Sequence, residues 1–469
     1  MKTGLVWFKN DLRLQDNEVL CQAIRQCDQV VCCFCLEPHL FDVLEIGFRK
    51  TDINRFKFLE KSIEDLIKNI EAIGGHLIIC SEGAVKEIPK LIKKFNVSTI
   101  FAEQEYAYEE LQIIDELQKL VNEVEFNFYW GKTLYNIDDI PFEISEIPLT
   151  SKAYRIPTSK LTKLRKTYKI PDHLVSHPQA ASTRFPSPTE FGFHQTEYDN
   201  TTPLMIGGED EALKRLHYYT FESELLTGYR WSRNKSLGLD YSSKLSPYLA
   251  LGCLSPRTIY EAVQDYEKQI KKNQSTWWLI FELVWRDYFT FKGMRFGKSI
   301  FFTSGIKNRK VDFQNDLTKF KRWQEGKTGI PFIDAHMRQL NLTGYMSNRG
   351  RVNCASYFVK DLSIDWTWGA SYFESKLIDY DVSANWLNWH MQTFEMYYTN
   401  PVHQSLKYSA NEYIAKWIPE LNHIQDNKIH APWLFEDVMK ETEYPKPIEV
   451  YSKWTRSINR ILKTLDFAN

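Results

Sequence analysis

The chain has 469 residues, 43% of them hydrophobic and 14% aromatic, which is enough for two domains with sizeable cores. Its 59 basic and 60 acidic side chains nearly cancel, which excludes a uniformly basic coat and leaves any nucleic-acid contact to a local patch. The eight cysteines form no late cluster of four, no apolar run approaches the roughly 18 residues that span a bilayer, and the apolar core of MKTGLVWFKN is too short for a secretory signal. A cytoplasmic protein in a reducing compartment, with no membrane contact, no zinc and no iron–sulfur cluster, is the expectation.

From the start, short apolar runs alternate with amphipathic helical patterns. The runs GLVWF, QVVCCFCL, HLIIC, STIFAEQ and VEFNFYW are separated by NEVLCQAIRQC, NRFKFLEKSIEDLIKNIEAIG, AVKEIPKLIKKF and EELQIIDELQKLVNE. Five strands with four intervening helices predict a parallel, doubly wound sheet over residues 1–132. Ligands of such sheets sit beyond the carboxyl ends of the strands. No GxGxxG and no P-loop occurs, Gly74 and Gly75 close a helix, and strand one runs into the polar loop KNDLRLQDN. Residues 133–205 lose periodicity and gather proline, which predicts a long interdomain linker with a short helix at SKLTKLRKTY. Over 206–469 helical spacing dominates, so the second domain is expected to be all-helical.

Three stretches of that second half concentrate chemistry. In LDYSSKLSPYL a hydroxyl-rich SSK runs into a helix start, so free backbone N–H groups, hydroxyls and one cation converge. That is a phosphate site by physics, although the same letters also make an ordinary serine cap. In WWLIFELVWRDYF, helical spacing puts Glu282, Trp285 and Arg286 on one turn, with Glu282 and Arg286 as an i,i+4 pair. From Gly344 to Met391, two arginines in SNRGR, two carboxylates in DYD, an amide in SANW and Trp366, Trp368, Trp386 and Trp389 lie among apolar residues at three- and four-residue spacing. A buried redox cofactor needs such a set on packed helices. On a helix, Asp379 and Asp381 would point to different sides, one free to pair with Arg351; burying either alone would be costly.

SNRGR followed by DYD and NWLNW resembles the flavin-binding core of the photolyase/cryptochrome family, nearest its DASH-type branch, and the resemblance extends over nearly the whole chain. It implies an α/β antenna-type domain with a five-stranded parallel sheet, followed by an all-α FAD-binding domain. It implies a deoxyribodipyrimidine photo-lyase, expected as a monomer, that acts on UV lesions in single- or double-stranded DNA. A blue-light photoreceptor without repair is the alternative, and the intact SSKLS, RGR and DYD speak against a flavin-free nucleic-acid-binding descendant.

Carried over residue by residue, Tyr229, Ser242, Ser243, Lys244, Leu245, Ser246, Arg286, Asn348, Arg351, Asp379, Tyr380, Asp381 and Asn385 would hold FAD, with Asn385 facing flavin N5. Arg233, Glu282, Trp285, Arg349, Met391 and Gln404 fall at DNA-contact positions. Glu282, desolvated, would donate a hydrogen bond to the lesion. Trp389 matches the flavin-proximal member of the electron-transfer chain and Trp366 the second, so Trp389, Trp366, Asn385 and Glu282 are the catalytic candidates. Glu105 matches an antenna carboxylate, the antenna being methenyltetrahydrofolate, a deazaflavin or nothing. Photolyases of (6-4) photoproducts use histidines near SNRGR; it has none here, which favours the cyclobutane dimer.

Two departures stand out. The outer tryptophan of the usual triad falls at Phe313, which predicts slow or rerouted flavin photoreduction, with Trp323, Trp368 or Trp386 as detours. Met391 occupies a position usually aromatic, and QTFEMYY runs straight into TNPVHQ, so one wall of the lesion cavity is expected to differ. The sequence ends on SINRILKTLDFAN, so a long signalling tail is not expected.

Overall fold

Strands β1 (Thr3–Phe8), β2 (Gln29–Cys35), β3 (Leu77–Cys80), β4 (Val97–Glu103) and β5 (Glu125–Tyr129) form where the apolar runs predict them. In the computed structural model, which describes residues 1–466, all pair in parallel in the order β3-β2-β1-β4-β5. The last three residues of the predicted helical domain lie outside the described residues.

Every residue of β1 and β2 is buried, because helices cover both faces; that is why these strands read as continuous runs rather than alternating ones. Helices α1 (Glu18–Gln26) and α2 (Ile53–Ala72) pack on one face, α3 (Ala84–Phe95) and α4 (Tyr108–Leu120) on the other. Cys32 and Cys35 stand at the spacing of a redox pair, but in a strand they face opposite sides: Cys32 packs with α1 and α2, Cys35 with Cys80 and α3. The strand order reverses between β1 and β4, so the crevice beyond their carboxyl ends is the sheet's natural ligand position.

The linker's helix, α5, spans Ser151–Leu161, so the short helix expected at SKLTKLRKTY is displaced toward the N-terminus, and most of that stretch is non-helical. Buried Tyr154 anchors α5 against the core, with Thr158 buried one turn on, an anchor that KLRK cannot offer. Farther on, the chain bonds along the edge of β3: Thr183 N–H donates to Leu77 O at 3.1 Å and Ile79 N–H to Thr183 Oγ1 at 2.6 Å. The β3 edge of the sheet is thereby covered.

The second half is helical, with Gln274–Phe296, Asn348–Lys360, Trp366–Lys376 and Val382–Phe394 packed together. No helix among the described residues is long and apolar enough to cross a membrane. The loop after β1 stitches the two halves. Arg13 donates to Gly252 O at 2.8 Å, buried Asp16 takes two 2.8 Å bonds from Arg257, and Glu209 accepts Leu14 and Gln15 N–H at 2.8 Å each. Gly252 has φ +67° and a Cβ there would lie 1.9 Å from Asn10 O, so only glycine lets the halves approach this closely.

Candidate functional site

The helical half encloses a cavity of about 560 Å³, within the range of ligand pockets. Its floor is the turn Tyr241–Leu245 leading into the short helix Ser246–Ala250. Lys244 takes φ +58° there, and its side chain is driven inward, leaving the residue 2% exposed. The ammonium group lies 3.3 Å from the Tyr241 ring centroid and 4.8 Å from that of Tyr345, and donates to Ser242 Oγ at 2.9 Å. Among the described residues no carboxylate reaches ion-pairing distance of it, and burial pushes its pKa down to about 6. Arg215 braces the turn from outside, donating to Ser243 O at 2.9 Å and Ser242 O at 3.2 Å.

Asp379 and Asp381 do not share a helix. Asp379 lies in the turn before one, where its carboxylate receives Arg351 at 2.7 and 2.8 Å and Ser246 Oγ at 2.7 Å. Asp381 caps Val382–Phe394, accepting Ala384 N–H at 2.9 Å, and faces Arg286 at 3.3 Å. The expected Glu282–Arg286 pair is absent: Arg286 also donates to Lys132 O and Leu249 O, while Glu282 accepts Arg233 at 2.6 Å and Trp278 Nε1 at 2.9 Å. An i,i+4 pair contributes only about 0.2–0.5 kcal/mol, so tertiary partners win. Burial raises the Glu282 pKa, against the pull of Arg233.

Tyr229, Leu245, Trp285, Asn348, Tyr380, Asn385, Trp389 and Met391 also line the cavity. One N–H of the Asn385 amide is tied to Ala370 O at 3.0 Å, which fixes the side chain's orientation. Trp389 packs edge-on to Phe373 at 5.1 Å, Phe358 at 5.7 Å and Trp323 at 6.2 Å. A Cβ on Gly369 would lie 2.3 Å from the Trp389 ring, so the tryptophan sits where it does because position 369 has no side chain. Trp366 instead packs on Trp386 at 5.8 Å and donates its indole N–H to Thr303 O. Phe313 is half-buried, whereas Trp323 continues through Phe320, at 6.3 Å, to half-exposed Trp368, 5.3 Å farther.

Four predicted site residues fall outside the cavity lining: Trp366, packed on Trp386, and Arg349, Gln404 and Glu105. Arg349 donates to Asn234 Oδ1 at 2.9 Å and lies over Tyr408, and Gln404 is half-buried with no partner for its Oε1. Glu105 sits at the sheet's switch point, buried, 3.2 Å from Lys132 and 4.0 Å from Lys9. Tyr241, Tyr345 and Arg215 were not singled out by sequence. The tyrosines flank the SSK and SNRGR segments and were legible as partners for a cation, but nothing in ALKRL marks Arg215.

The donor set fits FAD: a buried lysine with no carboxylate in ion-pairing reach among the described residues, serine hydroxyls and an arginine share one lining with Trp389, Phe373, Phe289 and Leu377. The first group suits a pyrophosphate and the second a flat ring system.

Known proteins agree with this geometry. The family model described as the FAD binding domain of DNA photolyase matches residues 278–463, and the one described as DNA photolyase matches residues 4–180. A cryptochrome DASH of Synechocystis sp. is 40% identical over 95% of this chain and 94% of its own length. One from Xenopus laevis is 39% identical over 97% and 91%. Among solved structures, a cryptochrome from Synechocystis sp. superposes with TM-score 0.91 at 37% identity over 99% of both chains. A bacterial class III photolyase from Agrobacterium tumefaciens shares the fold, with TM-score 0.81 at 23% identity over 99% of this chain and 97% of its own.

Proposed function

This chain belongs to the photolyase/cryptochrome family, on its DASH side, and carries the FAD-binding domain; from that premise we propose that it repairs cyclobutane pyrimidine dimers in DNA by light. The observation that carries the reading is the pairing, in one cavity, of an anion-ready floor at Lys244 and Arg351 with a mouth formed by Trp285 and Glu282. When bound, FAD supplies the light-driven electron that opens the cyclobutane ring. The protein's residues bind, orient and exclude water around that event.

Lys244, Ser242, Ser243 and Ser246 would hold the phosphates, and the Arg351–Asp379 pair fixes the wall beside them. A dimer reaches such a depth only when flipped out of the helix. Trp285 offers it a flat face, and Met391 a pliable one where the family has an aromatic. Glu282, half-buried and held by Trp278 and Arg233, can give a proton-shared hydrogen bond to a pyrimidine carbonyl. No histidine is among the cavity-lining residues, which favours the cyclobutane dimer over the (6-4) photoproduct.

A second reading, a photoreceptor without repair, draws support from the reshaped wall: Met391 and Met396 line it and the adjacent Tyr397 is 91% exposed. Illuminating the purified protein with dimer-bearing single- and double-stranded oligonucleotides decides between them. Dimer loss is expected, single strands being repaired faster. Glu282→Ala should cut repair at least tenfold while leaving flavin absorbance intact, and Glu282→Gln should keep part of the activity; no dimer loss by the unmodified protein would leave the photoreceptor reading.

A further inference from the structure

The helix Gln274–Phe296 carries a row of aromatic rings that does not stop at the cavity. Trp285 and, one turn back, Phe281 both line it, 6.1 Å apart with rings within 22° of parallel. Trp277, another turn back, lies 5.2 Å from Phe281 and is 52% exposed. Beside Trp278, its neighbour in sequence, and on the other side of Arg230 stands Trp231, 74% exposed. Core packing does not account for rings left so far in water.

Arginines stand between these rings. Arg155 of α5 lies 4.3 Å over Phe281, and its buried Nε has no hydrogen-bond partner. Arg230 lies 4.9 Å over Trp231 and 5.4 Å from Trp278. Among the described residues neither guanidinium pairs with a carboxylate, whereas nearby Arg233 is taken by Glu282.

Exposed rings interleaved with unpaired guanidinium groups match one occupant, an unpaired nucleic-acid strand. Bases stack on the rings whatever their sequence, and phosphates find the forks. A duplex keeps its bases stacked on one another and offers the rings nothing. Resting on the reading of a flipped dimer in the cavity, we propose that Trp231, Trp277 and Phe281, with Arg155 and Arg230, bind the unpaired nucleotides flanking the dimer on one side. The strand then runs outward along this helix from Trp285, and the track gives the site its preference for single strands.

The test measures binding of the flavin-loaded protein to a lesion-free oligothymidylate and to a duplex of equal length. Trp277→Ala and Trp231→Ala should each weaken single-strand binding about five- to fiftyfold and duplex binding much less, with flavin absorbance unchanged. Arg155→Gln and Arg230→Gln should each lower the slope of log affinity against log salt by about 0.7. Single-strand affinity unchanged in both ring variants, equal losses on single strand and duplex, or no single-strand binding by the unmodified protein would each overturn the track. Dimer splitting is read separately. A protein that splits no dimers yet loses single-strand binding with Trp277→Ala keeps the track and sinks repair; one that repairs, with ring variants binding as before, does the reverse.

Discussion

Two buried charge clusters in this molecule follow opposite rules. At the switch point of the sheet, Lys132 stands 2.6 Å from Glu103 and 3.2 Å from Glu105, and Lys9 stands 4.0 Å from Glu105. Each charge there has its opposite within the chain. In the helical cavity, Lys244 is as deeply buried but is met by two aromatic faces and a hydroxyl. Since a buried charge needs a partner, the first cluster is closed and the second is completed by something that arrives. The sheet's crevice, where the topology favours a ligand, is thus filled by its own ion pairs, and the open anion site belongs to the helices.

The contrast can be broken most forcefully at the wall of the open site. Asp379→Ala strands Arg351 and leaves Ser246 Oγ without its acceptor, so a loss of about 3–5 kcal/mol and purification without flavin colour are expected. Lys132→Met should destabilise by about 3 kcal/mol, because Glu103 and Glu105 are left buried together, yet flavin per chain should stay unchanged. Melting temperature and flavin absorbance, read side by side, separate the two. If Lys132→Met instead loses its flavin, the closed cluster is not independent of the cavity.

Lys244→Met is the finer probe. It removes a desolvated amine, so the flavin-stripped chain should melt no lower than before, while FAD affinity should fall about 10- to 100-fold, the 1.5–3 kcal/mol of a charged hydrogen bond. The pH dependence follows from the same lysine. Its folded pKa, about 6, lies below the ordinary 10.5, so between those values the unfolded chain binds the extra proton and stability rises with pH. FAD's phosphates should restore the proton, so binding takes one up above about pH 6 and weakens as pH rises further. Calorimetry in buffers of different ionisation heat checks this, and Lys244→Met should abolish the uptake.

Much of this was legible before any coordinates. Strands buried on both faces need continuous apolar runs, so GLVWF and QVVCCFCL announced a parallel sheet. The cavity segments were legible because SSK, SNRGR and DYD place polar groups where packing alone would not. What sequence could not supply was partner choice. Arg286 has a carboxylate one turn away in Glu282, yet bonds to Asp381 and to backbone oxygens 37 and 154 residues distant. Likewise the sandwich around Lys244 joins Tyr241 to Tyr345, a pairing made only when two distant interhelical turns meet. The displaced α5 has a similar cause: its position is set by the pocket that receives Tyr154, not by local helix preference.

The stitching of the loop after β1 bears on how the protein acquires its colour. Swinging the helical half away from the sheet would expose the Asp16–Arg257 pair and undo the Arg13–Gly252 bond, all buried. The cavity, however, is lined by the helical half alone, so docking against the sheet does not have to wait for the dinucleotide. Scarcity of riboflavin derivatives during synthesis would then leave a finished but pale population that colours once the cofactor is supplied.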